Sequence, residues 1–148
     1  MKTLMLALVL VLTTAGCIKV PEGISIVVTD EPEALCGQYV NCYHAPTRTI
    51  VVLPGQSAKL LAHELCHAHQ HQTILDETGI EPSLDLREWY GTSEAGAYMA
   101  VREAAPVPTE WRLSADTALE DFAEGCGRFL TGSDMEPARA AFFAARGF

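Results

Sequence analysis

Four of the five histidines in this chain of 148 residues fall within nine positions, and two of them stand four apart in His63-Glu64-Leu65-Cys66-His67. The surrounding residues 59–72 read as helix. On a helix, residues four apart lie one above the other on the same face. His63 and His67 can therefore aim two imidazoles at one metal ion. Glu64 stands beside that ion, where a carboxylate can hold a water and take its proton. The competing reading is a helix whose histidines are surface polar groups or a loose metal-scavenging cluster.

Two His and a water leave such a site one protein ligand short. His69 and His71 continue the same helix, and His71 lies about 12 Å along the axis from His63 at 1.5 Å per residue. One straight helix cannot wrap three such ligands around one ion. Patterns that recruit a third His just downstream need a Gly between the second and the third to turn the chain, and no Gly follows His67 before Gly79. His69 and His71 are therefore expected in solvent, and His44 on a loop surface or at a substrate rim. A carboxylate from a later helix remains. Glu94 sits among small residues in Thr92-Ser93-Glu94-Ala95-Gly96-Ala97-Tyr98, with Tyr90 and Tyr98 expected on its face. Glu120 sits in Glu120-Asp121-Phe122-Ala123-Glu124, an ExxxE pair whose carboxylates face the same way. In that pair one Glu can bind the metal while Glu124 accepts the free N–H of a ligand His. Each of these carboxylates could instead be an exposed helix Glu.

The rest of the chain sets the context. Length suggests one domain, and 49% hydrophobic with 20% charged residues allows a packed core. A net charge of −9, with no basic patch interleaved with aromatics, excludes nucleic-acid binding. Residues 1–16 have a positive start at Lys2, an apolar run over 4–12 and small residues Thr13-Thr14-Ala15-Gly16, the form of an export signal too short to span a membrane. Ala15-Gly16 directly before Cys17 resembles a bacterial lipobox, although Thr14 stands where Leu is usual. Lipidation of Cys17 would anchor the chain in the cell envelope through a tether at 17–23. Ile18 rather than Asp after Cys17 favours an outer-membrane or surface address. Export leaves Cys36, Cys42, Cys66 and Cys126 in an oxidising compartment, where an even number favours two disulfides. Cys36 and Cys42 close a short loop, which leaves Cys66 to join Cys126. A thiolate metal site at Cys66 is disfavoured by the same oxidising environment.

Along the chain, 24–28 and 47–53 read as strands, and 36–42 as a stapled loop. Pro54-Gly55 ends the second strand and Ser57 caps the metal helix. Long helices are expected over 84–104 and from an Ala115-Asp116 cap to residue 130, with a short one over 136–146. The sum is α+β, with a small N-terminal β-sheet followed by an active-site helix and further helices. The strand just before the metal helix is expected to present an edge to an extended peptide.

The motif at 63–67 with a downstream Glu-bearing helix resembles the gluzincin metallopeptidases. More narrowly, Glu120-Asp121-Phe122-Ala123-Glu124, then Arg128-Phe129-Leu130 and Ser133-Asp134-Met135-Glu136-Pro137-Ala138-Arg139, is similar to the end of the catalytic domain of the anthrax lethal factor family. The likeness covers residues 60–72 and 117–140. It implies a zincin-like fold over 24–148, Zn²⁺ as cofactor and Glu120 as the third ligand; on the residues alone, Glu94 stays open as the alternative. It also implies Glu64 as general base, Glu124 behind a ligand His, and a peptide or protein substrate. The chain departs from that family in its length, its spacing between motifs and its cysteines. No residue clearly matches the family's active-site Tyr, a role open to Tyr90 or Tyr98. The expected function is an exported, lipid-anchored zinc metallopeptidase. The alternative is a non-catalytic lipoprotein of the same fold that binds metal or a partner. A weaker one is a disulfide-stapled domain that binds no metal.

Overall fold

The computed structural model describes residues 20–37, 40–108 and 117–148. The expected export signal, Cys17 with its lipid, the start of the tether and the Ala115-Asp116 cap lie outside the described residues. Three short strands, β1 (Ser25–Val28), β2 (Cys42–His44) and β3 (Thr49–Val52), form one sheet in the order β1-β3-β2. β3 is parallel to β1 and antiparallel to β2. Its sequence, Thr-Ile-Val-Val, is β-branched throughout, and all four residues are buried. In register, Ile26, Ile50 and Tyr43 form one row across the sheet, and this row joins the main core.

β3 is thus the central strand, paired on both sides, which corrects the expectation that it presents a free edge. The edges belong to β1 and to β2, the latter a three-residue strand inside a region read as loop. The Cys36–Cys42 disulfide, with Cα atoms 5.8 Å apart, ties β2 to the short helix α1 (Glu33–Cys36). The amide side chain of Asn41 accepts a 2.7 Å hydrogen bond from the Leu53 N–H and holds the two strand ends together.

Helix α2 (Ala58–Thr78) crosses the sheet face and carries His63 to His67. Ser57 caps it, its hydroxyl accepting from the Leu60 N–H. It runs six residues beyond the expected end at 72, because Gly79 is where the chain first takes the left-handed conformation that closes a helix, at φ 70°. The long helix expected over 84–104 is two pieces. A 3-10 turn over Arg87–Gly91 comes first, and α3 (Ser93–Ala104) starts afresh after Thr92, whose extended backbone (ψ 157°) and hydroxyl cap it. Helices α4 (Ala118–Leu130), capped by Thr117, and α5 (Pro137–Ala145), with Pro at its first position, complete the described chain. Among the described residues the architecture is therefore α+β, a small sheet and five α-helices. Trp89, Tyr98, Phe122, Phe142 and Phe143 fill the core between α3, α4 and α5 with edge-on and tilted aromatic contacts. No helix among the described residues is long and apolar enough to cross a membrane.

Helices α2 and α4 pack very closely. A Cβ built on Gly127 would stand 3.0 Å from the His63 backbone nitrogen and 3.2 Å from its Cα, so only glycine admits this approach. One residue earlier, Cys126 is joined to Cys66 of α2, with Cα atoms 6.1 Å apart and both residues buried. The disulfide and the glycine together set the second helix against the motif.

Candidate metal centre

α2 places His63 and His67 one turn apart, with their Nε2 atoms 3.1 Å from each other. The first turn of α4 brings Glu120 to both: its Oε2 lies 3.3 Å from His63 Nε2 and 3.5 Å from His67 Nε2. Zinc holds nitrogen and oxygen ligands at about 2.0–2.2 Å, so two ligands at tetrahedral angles stand roughly 3.3 Å apart. The triangle formed by His63, His67 and Glu120 has edges of that size. Among the described residues these three are the one group whose donor atoms are clustered closely enough to share an ion.

The charges around the donors favour a cation. Burial lowers the affinity of His63 for a proton, but Glu120, Glu124 and Glu64 around it more than offset this and push its pKa up to about 9. Burial raises Glu120, but His63 and His67 outweigh it and hold that carboxyl far below the usual range. The carboxylates of Glu120, Glu124 and Glu64 thus concentrate negative charge around His63, which a bound cation offsets. Glu64 is buried, as are Leu65, Cys66 and His67. Burial raises its pKa, opposed by His67 and His63, with the backbone N–H of Tyr43 on β2 facing its carboxylate.

Behind the triangle stand residues that orient its side chains. His63 turns its other nitrogen, Nδ1, toward Oε2 of Glu124 at 3.6 Å. Glu124 is gripped by Lys59 at 2.6 Å and by Arg128 at 2.8 Å, and despite burial its pKa is lowered to about 2 by His63, Lys59 and Arg128. His67 turns its Nδ1 to Gln70 Oε1 at 2.8 Å. Gln70, fully buried, was not foreseen. Its signal in the sequence is only its place three residues after His67, on the same helical face.

The aim of Glu120 is set by its neighbour. Asp121 is completely buried and receives Arg139 Nη2 of α5 at 2.9 Å and Arg102 Nε of α3 at 3.4 Å. Arg139 is itself buried, and it also bonds the Tyr98 hydroxyl and Glu136.

Other expected residues fall elsewhere. Glu94 is buried away from the triangle, taking Trp89 Nε1 at 3.2 Å, Thr73 Oγ1 at 3.3 Å and His69 Nε2 at 2.9 Å. His69 is therefore half-buried and paired, not solvated. His71 corrects the expectation further: it is buried, with Tyr43 Oη 3.0 Å from its Nδ1 and the Glu81 carboxylate 3.2 Å from its Nε2. A tyrosine 28 positions earlier covers it, a contact that local spacing does not reveal. His44 ends β2 and pairs with the Thr47 hydroxyl at 2.8 Å. Tyr98 is buried and donates to the Asp121 carbonyl, so its hydroxyl does not serve the triangle. The Tyr90 hydroxyl accepts from the Leu119 N–H at 3.3 Å, beside the residue that precedes Glu120.

No family model, curated protein or solved structure matches this chain.

Proposed function

We propose that this protein is an exported zinc-dependent peptidase of gluzincin type, with a zincin-like fold and His63, His67 and Glu120 as the metal ligands. The observation that carries the reading is the ligand triangle, with edges of 3.1, 3.3 and 3.5 Å beside the buried Glu64. Bound there, zinc would lower the pKa of a water toward about 7 and polarise a substrate carbonyl. Glu64 is the general base: its raised proton affinity suits it to take a proton at neutral pH and return it to the leaving amine. Glu124 holds the His63 ring with Nε2 toward the site. Tyr43 fixes the edge of β2 beside Glu64, and an extended peptide laid along that edge would carry its scissile bond past the base. Two disulfides support residence in an oxidising compartment, and Cys17 is the residue for a lipid anchor.

Metal analysis of the purified mature protein, with a peptide-library cleavage assay, tests this. One zinc per chain is expected. Glu64→Gln should keep the metal and lose at least about a hundredfold in cleavage rate. A protein that takes up no zinc, or a Glu64→Gln variant as active as the parent, overturns the reading.

A further inference from the structure

The two ligand histidines are served by partners of different kinds. His63 faces the anionic Glu124, whereas His67 faces a neutral amide. That amide is engaged at both ends. Gln70 Oε1 meets His67 Nδ1 at 2.8 Å, and Gln70 Nε2 donates to the backbone carbonyl of Leu119 at 3.1 Å. All of this is buried.

The chemistry at the far end dictates the near end. A backbone carbonyl has no proton to give, so the Gln70 atom facing Leu119 must be its NH2 group. The amide oxygen is then forced toward the imidazole. An amide oxygen only accepts, so neutral His67 must carry its proton on Nδ1. Its Nε2 lone pair is left pointing at His63 and Glu120, the form in which an imidazole binds a metal.

Few side chains can do this. Glu accepts from Nδ1 but offers nothing to the carbonyl. Leu satisfies neither group, and Asn has the same amide on a stem one carbon shorter. The Leu119 carbonyl also belongs to α4, one residue before Glu120. One side chain therefore joins a ligand on α2 to the backbone that carries the ligand on α4.

We propose that Gln70 is a positioning residue that relays the Leu119 carbonyl to His67, fixing the tautomer of that ligand and its register with Glu120. The role as metal ligand rests on the zinc reading above, whereas the tautomer does not.

The test uses long-range proton–nitrogen NMR of the imidazoles in metal-free protein, at a pH where His67 is neutral, and zinc competition against a chromophoric chelator. In the parent protein His67 carries its proton on Nδ1. Gln70→Leu loses that single tautomer and binds zinc about 10–100-fold more weakly. Gln70→Glu restores the Nδ1–H form and most of the affinity, yet melts earlier because the Leu119 carbonyl loses its donor. A residue needed only for packing would not give this split. A parent protein with the His67 proton on Nε2 overturns the relay, and so does a folded Gln70→Leu variant that keeps both tautomer and affinity. If the substitutions unfold the chain, the parent spectrum alone decides. If the parent takes up no zinc, the peptidase reading falls, and the tautomer still decides the relay.

Discussion

The imidazole of His63 turns Nδ1 toward Glu124, 3.6 Å from its Oε2, and so stands between two carboxylates, with Glu120 on its Nε2 side. Without a metal, this ring is the cation that the two acids share.

That sharing has a pH signature. The His63 pKa is raised from its ordinary 6.5 to about 9, so the stability it supplies is complete below 6.5 and is lost as pH rises through 9. The Glu124 pKa is lowered from 4.5 to about 2, so its contribution is complete above 4.5 and is lost as pH falls through 2. Glu120 is shifted the same way as Glu124. As far as these groups govern it, metal-free protein should melt highest between pH 4.5 and 6.5, and lower at pH 9. Zinc affinity should run the other way, rising about tenfold per pH unit from 6.5 toward 9 as zinc displaces the His63 proton. Melting curves and zinc competition across this range check both slopes, and a flat affinity would refute the shared-cation account.

Substituting Gly127 inverts a common rule. In an open helix position, Gly→Ala stabilises by about 1 kcal/mol. Gly96 of α3, with nothing within 4 Å of its added Cβ, should behave that way. At Gly127 the new methyl meets the backbone of His63, which cannot swing aside as a side chain would. Gly127→Ala should cost about 1–3 kcal/mol in chemical denaturation and weaken zinc binding by moving α4 off α2. Equal effects at the two glycines would refute the close approach.

The two disulfides should differ in what they protect. Cys66–Cys126 closes a separation of 60 residues, and loop entropy assigns it about 4 kcal/mol, against about 2 kcal/mol for Cys36–Cys42 with its separation of 6. Replacing Cys66 and Cys126 together with Ala should lower both stability and zinc affinity, because Glu120 rides on the helix released. Replacing Cys36 and Cys42 should lower stability alone. Denaturation and zinc titration of the two double variants distinguish these outcomes.

What could be read in the sequence was whatever repeats at helical spacing or carries a local mark. The four-residue step from His63 to His67, the matching step from Glu120 to Glu124 and the cap at Ser57 are of this kind. The cysteine pairing followed from the short loop between Cys36 and Cys42, which left one other pair. What escaped depends on contacts between distant segments. Cys42-Tyr43-His44 is too short to signal a strand and becomes one only beside β3. His71 looks like one more surface histidine until Tyr43 covers it. Gln70 gains meaning only when the Leu119 carbonyl arrives from another helix. Thr92 interrupts what the apolar spacing presents as one helix over 84–104, because a hydroxyl that bonds the Ala95 N–H competes with continuing the turn.

Glu120 and Asp121 are consecutive carboxylates that leave α4 about 100° apart. One reaches a rim where it is 36% exposed, and the other meets a guanidinium that solvent never touches. Rolling α4 enough to carry Glu120 off the histidines would drag Asp121 from Arg139 and strand a buried charge, at about 3–5 kcal/mol. Asp121 is thus an index pin for the helix. The angular position of a part-exposed carboxylate is registered by an ion pair on a dry face of the same turn.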